Sequence, residues 1–172
     1  TGHLFGLHDL YVLTGPPVYG SWDLMSLNWS NAAIELNAWN RYIQGWLTDN
    51  QVKCLDKSNL SATEVVVSPI ERVETGIKAI TIKLSDTKML VIESRRNEGL
   101  DVLSPSQAGT LVYTVDMTVM SMQGGWNIQR RTGSTAPDFT DAALKSGDKI
   151  IVEGVTIEVL SQDSKGDKVR VS

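Results

Sequence analysis

The sequence predicts an α+β fold in two parts, a tryptophan-rich part at residues 1–50 and a β-rich part at residues 51–172. The first part holds four of the five tryptophans and both histidines, with loop-forming residues around one amphipathic segment. The second part consists of short alternating or β-branched runs without intervening helical patterns. Such runs favour a mainly antiparallel, sandwich-like region of two packed sheets.

The first part begins with residues 1–7, which we interpret as the last turns of a helix. Gly6 ends them, because glycine best tolerates a left-handed stop. Residues 8–25 are rich in Gly, Pro, Asp and Ser and are predicted to form a loop. Asn31 is the predicted N-cap of a helix over residues 32–47, in which apolar residues recur at three- and four-residue spacing and predict one buried face. That stripe consists of Trp39, Tyr42, Ile43, Trp46 and Leu47.

The second part is predicted to contain eight strands. They lie at residues 52–55, 64–67, 79–84, 89–94, 110–118, 149–152, 155–160 and 168–171. Glu153-Gly154 predicts a tight hairpin between the sixth and seventh of these. Residues 121–146 read as a long surface excursion with a short helix around residues 141–145.

Charge and composition exclude several classes of protein. The formal net charge is -4, which argues against a nucleic-acid partner because phosphates require a basic face. No apolar run approaches the roughly 20 residues that span a bilayer, so we expect no membrane span. One cysteine excludes an internal disulfide and a multi-cysteine zinc site. The oligomeric state is not predicted by any of these observations.

A histidine, a glycine and an aspartate follow one another at three-residue spacing near the start of the chain. His3, Gly6 and Asp9 form the pattern His-x-x-Gly-x-x-Asp, which alone is common by chance. A helical zinc site uses two histidines one turn apart, with a glutamate between them as general base. Its longer form adds a glycine three residues after the second histidine, where the chain turns, and a third ligand three residues later. His3 and Asp9 then take the places of the second and third ligands.

Met25 lies shortly after this pattern. Extended zinc sites of this kind place a methionine turn beneath the metal, where the thioether packs against the ligating imidazoles. Met25 is a candidate for that role. The alternative is a core methionine that fills a packing gap.

Three segments of the first part combine into a more specific pattern. Residues 2–11 read GHLFGLHDLY, residues 20–26 read GSWDLMS, and residues 38–47 begin AWNRY and end GWL. Together they resemble the immune inhibitor A-like family of bacterial secreted metallopeptidases, whose zinc motif runs H-E-x-x-H-x-x-G-x-x-D and is commonly followed by L-Y. A looser match covers the E-x-R segment at residues 93–95 and the strand at residues 109–116.

The resemblance implies an extracellular zinc endopeptidase that acts on polypeptide substrates. It assigns His3 and Asp9 as zinc ligands and Met25 as the methionine turn, within the C-terminal part of a metzincin-like catalytic domain. It places the first histidine and the catalytic glutamate immediately before Thr1. We therefore expect zinc in the intact enzyme, weak or absent zinc binding in this chain, and no measurable peptidase activity of the chain itself. His8 departs from the family, which often has proline there, and is expected to be a rim residue.

Other roles remain open for the β-rich part. It could be a binding module for glycans or for another protein, with Trp126 as an exposed aromatic platform in a loop, or it could serve stability alone. Glu93, Arg95 and Asp116 are predicted to be structural residues that pin the β-rich part against the first part.

Overall fold

Two stacked β-sheets form most of the molecule in a computed structural model, which describes residues 2–26, 34–74 and 76–172. The first sheet has five strands in the order β1-β3-β4-β5-β6, and the second has four in the order β2-β9-β8-β7. Adjacent strands are antiparallel except for β1 and β3, which are parallel. The strands are β1 Val52–Asp56, β2 Thr63–Val67, β3 Ala79–Lys83, β4 Lys88–Arg95, β5 Gly109–Asp116, β6 Trp126–Ile128, β7 Lys149–Val152, β8 Val155–Asp163 and β9 Gly166–Val171.

The five-stranded sheet is the middle of three layers. One face packs on the four-stranded sheet, as Ile92 of β4 and Val112 of β5 share a core with Val159 of β8. The other face packs on the N-terminal segment, where Val91 and Tyr113 share a second core with residues such as Trp22 and Leu10. Because alternate side chains of a strand point to opposite faces and both faces of this sheet are covered, β4 and β5 are buried at nearly every position. The predicted β-rich, sandwich-like region is thus confirmed in its architecture.

The N-terminal segment contains little helix. A 3-10 turn at Gly2–Phe5 is followed by Gly6, whose φ of 79° is left-handed, as predicted. The one α-helix of the described residues, α1, spans Ala38–Ile43. The division at residue 50 stays a prediction, although side chains from both sides of it share one core.

The helix predicted over residues 32–47 is wrong in its extent. Asn31 and Ala32 lie outside the described residues. The N-cap of α1 is Asn37, whose side chain accepts a hydrogen bond from the Asn40 N–H. Gly45, with a φ of 71°, follows the end of α1, so the three- and four-residue spacing does not continue. Trp39 and Leu47 of the predicted stripe are buried, whereas Ile43 and Trp46 are exposed.

Of the other local predictions, the hairpin is confirmed and the second helix is wrong. The hairpin is confirmed, because Glu153 and Gly154 both have positive φ and join β7 to β8. The helix predicted around residues 141–145 is wrong, since the Leu144 backbone instead exchanges two hydrogen bonds with Thr110 at the start of β5. Strand β6 was not predicted, because it has three residues and lies inside the supposed surface excursion.

Candidate metal site

The two ring nitrogens of His3 have different partners, a backbone carbonyl for Nδ1 and Asp9 for Nε2. His3 lies on the 3-10 turn, and its Nδ1 is 3.0 Å from the carbonyl oxygen of Leu7. A carbonyl can only accept, so this contact assigns the proton to Nδ1 and leaves the Nε2 lone pair available. A second hydrogen bond of this kind orients most metal-binding histidines. The His3 side chain is 59% exposed, so a metal held here would be open to substrate.

The turn at Gly6 returns the chain toward His3. The Gly6 N–H donates to the His3 carbonyl at 3.0 Å, and three residues later Asp9 Oδ1 lies 3.2 Å from His3 Nε2. The structure therefore brings together the two side chains that the spacing predicts as ligands. We call them the His3–Asp9 pair.

The backbone of Asp9 is held by the loop between β5 and β6, residues 117–125. Its N–H donates to Ser121 Oγ at 2.9 Å, and its carbonyl accepts from the Met122 N–H at 3.1 Å. Met122 has a φ of 64°, an uncommon conformation for a residue with a side chain. Sequence reasoning missed both residues, since nothing near residue 120 indicates a partner 112 positions away.

Met25 lies beneath the start of this segment. Met25 is buried, and its carbonyl accepts a hydrogen bond from the Leu10 N–H at 2.9 Å. Its sulfur lies so close to Gly2 that a β-carbon added to this glycine would be 2.3 Å from it. The thioether thus packs against the residue that precedes His3. Its role as a methionine turn stays a prediction, and this position is compatible with that role.

Asp23 fixes the turn that carries Met25. One carboxyl oxygen accepts from the Met25 N–H and the other from the Asn37 N–H, each at 2.6 Å. The carboxyl group is completely buried, and burial raises its pKa to about 7. Asp23 therefore joins the turn that carries Met25 to the start of α1.

The His3–Asp9 pair fits a zinc ion in donor type and spacing. Zinc–nitrogen and zinc–oxygen bonds of about 2.1 Å at a tetrahedral angle separate two donors by about 3.4 Å, close to the observed 3.2 Å. No group of three potential ligand side chains occurs among the described residues. A catalytic zinc site normally has three protein ligands, so the pair would supply two of them. The same distance also suits a hydrogen bond from a protonated imidazole to the carboxylate.

Trp126 does not form the exposed platform predicted for it. It is the first residue of β6 and is 6% exposed, because β6 is an edge strand covered by the N-terminal segment. The exposed ring of His8 packs edge-on against it, with ring centroids 5.8 Å apart. His8 takes no part in the contact between His3 and Asp9, and it lines a small cavity that Trp126 also lines.

Of the three residues predicted to hold the β-rich part against the first part, two make such contacts and one does not. Glu93 accepts from the Ala38 N–H at the start of α1, and Arg95 donates to the Trp22 carbonyl, so both join the sheet to the N-terminal segment. Asp116 does not, because its carboxylate caps its own turn through Thr118.

A scan against protein-family models, a search of curated proteins and a search of solved structures each returned no match. Among the described residues, no helix has the length and apolar character needed to cross a membrane.

Proposed function

We propose that the chain is part of a secreted zinc-dependent endopeptidase and contributes the second and third metal ligands, His3 and Asp9. The proposal is supported above all by one observation. Two residues that their spacing and the family resemblance assign as ligands approach to 3.2 Å, and the remaining histidine nitrogen is already bound to a backbone carbonyl. Met25 packs beneath the same segment.

A bound zinc ion would act as a Lewis acid that polarises the scissile carbonyl and activates water. The chain's own residues do the positioning. The Leu7 carbonyl orients the His3 ring, the Gly6 turn directs Asp9 toward it, and the loop with Ser121 holds the Asp9 backbone. The exposed side of His3 leaves room for a polypeptide substrate.

The resemblance places a histidine and a glutamate immediately before Thr1, and the glutamate would be the general base. Determining the codons upstream of Thr1 tests this directly. A form extended to include them should hydrolyse peptides and lose that activity on addition of a chelator, whereas the 172-residue chain should show no measurable hydrolysis. A hydrolytic activity of the chain itself would contradict this assignment of the base.

Zinc binding by the chain tests the ligand pair. We expect weak binding in competition with a chromophoric chelator, and its loss in both His3→Ala and Asp9→Ala, because affinity depends steeply on ligand number. Asp86→Ala is the matched control, since Asp86 is 94% exposed and pairs with Lys83. Zinc affinity that is unchanged in either ligand variant would contradict the proposal.

The glycan- or protein-binding alternative rested on an exposed Trp126. Because this side chain is buried, that interpretation loses the observation on which it depended.

A further inference from the structure

Strand β1 lies at the edge of the five-stranded sheet, and its outer side is unpaired. It bonds to β3 on one side only, where the Gln51 carbonyl accepts from the Lys78 N–H. Because successive residues of a strand direct their main-chain groups to opposite sides, every second residue from Gln51 bonds to β3, whereas Cys54 and Asp56 face outward. The N–H and carbonyl of Cys54 and the N–H of Asp56 have no hydrogen-bond partner among the described residues.

This edge is accessible, and a largely apolar cleft lies beside it. Cys54 is exposed and lines a cleft of about 540 Å³, within the range of about 300–1,000 Å³ that is usual for ligand sites. Thr81, whose Oγ1 is 3.5 Å from the Cys54 sulfur, also lines it. Most of the other lining comes from aromatic and apolar side chains of α1, β4 and the segment after β1, namely Trp39, Tyr42, Met89 and Leu60.

The opposite face of β1 carries a positive charge. Lys53 precedes Cys54 and therefore points to the other side of the sheet. It is exposed, does not line the cleft, and forms no ion pair among the described residues. A chain that lay along β1 would thus meet apolar surface on one face and an unpaired lysine on the other.

We propose that the outer edge of β1 binds an extended polypeptide segment of a partner protein, in which apolar residues alternate with polar ones and one of the polar residues is acidic. The unpaired main-chain groups select an extended strand, since strand addition takes affinity from main-chain bonds and specificity from pockets for alternate side chains. Antiparallel pairing is the more stable arrangement. The proposal concerns a surface that is separate from the His3–Asp9 pair, and it does not depend on zinc.

The antiparallel register fixes which partner residue does what. The residue opposite Cys54 exchanges two hydrogen bonds with it and directs its side chain to the cleft. The residue two positions earlier accepts from the Asp56 N–H and also faces the cleft. The residue opposite Lys53 faces the other side, where a carboxylate forms a favourable cross-strand pair.

The test uses the blocked peptide acetyl-SITIETS-amide, whose second isoleucine is opposite Cys54 and whose glutamate is opposite Lys53 in this register. Binding to the 172-residue chain is followed by fluorescence anisotropy of the labelled peptide, and amide hydrogen exchange is followed by NMR. At saturation the amide protons of Cys54 and Asp56 should exchange at least about tenfold more slowly, because a bonded amide must open before it exchanges.

N-methylation of the peptide distinguishes strand addition from binding through apolar contact alone. A methyl group on the second isoleucine removes the donor for the Cys54 carbonyl and blocks close approach, so affinity should fall at least about tenfold. The matched control is the peptide N-methylated at the glutamate, whose N–H faces solvent in this register, and it should bind nearly as well as the unmodified peptide.

A charge exchange tests the face that carries Lys53. Replacing the peptide glutamate by lysine should weaken binding about threefold or more, because like charges opposite each other are unfavourable. Lys53→Glu should reverse this preference and favour the lysine peptide. Lys149→Glu is the matched control, since Lys149 is also exposed on an edge strand, β7, and it should keep the wild-type preference.

Equal affinities of the two N-methylated peptides, unchanged exchange at Cys54 and Asp56, or no binding at about 1 mM peptide would overturn the proposal. An unaltered preference in Lys53→Glu would do the same. These measurements contain no zinc, so the metal site and the β1 edge can each fail while the other stands.

Discussion

At the scale of single residues, the position of Asp9 depends on Ser121 and Met122. These residues hold the N–H and the carbonyl of Asp9 from a loop far along the chain. Removing a residue that hydrogen-bonds to a metal ligand commonly lowers the metal affinity about 10- to 100-fold. The left-handed Met122 lies in this contact, and unusual backbone conformations persist where surrounding structure holds them.

Ser121→Ala should therefore weaken zinc binding about tenfold, because the Asp9 N–H loses its acceptor and the carboxylate is less firmly placed. Chelator competition measures the affinity, and urea unfolding measures stability. We expect a loss of stability of about 1 kcal/mol for the single hydrogen bond.

Ser106→Ala is the matched control, since Ser106 is exposed and its hydroxyl contacts Ser104. The positioning role of Ser121 is refuted if both serine variants bind zinc as the wild type does.

The sequence predicts the proximity of His3 and Asp9 because one local turn at Gly6 produces it. Gly6 lies three residues from His3 and three from Asp9, and a glycine at the bend allows the left-handed turn that brings the two side chains together. The contribution of Ser121 is different, since the fold alone brings it to Asp9. The small cavity that His8 lines is hidden from the sequence for the same reason, because Trp126 reads there as a loop residue.

At the scale of elements, β4 joins the N-terminal segment to the sheet through one buried cation at its end. Arg95 binds both oxygens of Asp101, at 2.7 and 3.0 Å, and Glu93 at 2.9 Å. It also donates to the Trp22 carbonyl at 3.1 Å. Among the described residues it is fully buried with its carboxylate partners. A buried guanidinium stabilises the fold only while all its hydrogen-bonding and carboxylate partners are present, because together they offset the cost of its desolvation.

Arg95→Met should consequently destabilise the protein by about 3–5 kcal/mol, the usual effect of removing one partner from a buried ion pair. Asp101 and Glu93 would lose their cation, and the Trp22 carbonyl would lose its hydrogen bond from β4. Arg170→Met is the matched control, because Arg170 of β9 pairs with Glu64 of β2 and Glu158 of β8 at the surface. Surface pairs contribute little. Urea unfolding compares the two variants, and equal effects would show that the buried set is not a stabilising junction.

Elements with a strong alternating pattern were the most predictable. All eight predicted strands occur in the structure, because β-branched residues at alternate positions pack well on a half-buried sheet surface. The helix was overestimated, since Trp46 and Leu47 continue its spacing past Gly45 although the helix has ended. Strand β6 escaped prediction because three residues give too little pattern and its pairing with β5 comes from the tertiary fold.

At the scale of the whole molecule, the three-layer arrangement traps acidic groups between layers. Asp23 is buried between the N-terminal segment and the sheet, and burial raises its pKa to about 7. Glu71 lies beside Arg95 with a side chain that is 0% exposed, and burial raises its pKa to about 9. Arg95 opposes this rise, but Asp101 is nearby and adds to it.

These raised pKa values predict that stability falls as pH rises from about 5.5 to about 8. In this interval the unfolded chain has released both protons, since ordinary carboxyl groups titrate near pH 4. The folded protein retains the Asp23 proton to about pH 7 and the Glu71 proton throughout. Stability decreases with pH wherever the folded state binds more protons. Surface carboxylates with lowered pKa values, such as Asp141 at about 2, act in the opposite direction and only at lower pH. At about 1.4 kcal/mol for each retained proton and pH unit, we expect a loss of about 3–5 kcal/mol over the interval, measured by urea unfolding at several pH values.

Glu71→Gln isolates the contribution of one group. Glutamine resembles the protonated acid, because its oxygen can still accept from the Arg96 N–H, as Glu71 Oε1 does at 2.8 Å, and its NH₂ takes the place of the unpaired Oε2. The variant should be more stable than the wild type near pH 8 and similar to it near pH 5.5, so its stability falls less steeply with pH. Glu74→Gln, at a glutamate whose side chain is 62% exposed, should keep the wild-type slope. A wild-type slope in Glu71→Gln, or stability that rises over this interval, would mean that Glu71 is already ionised in the folded protein, with Arg95 outweighing the cost of its burial.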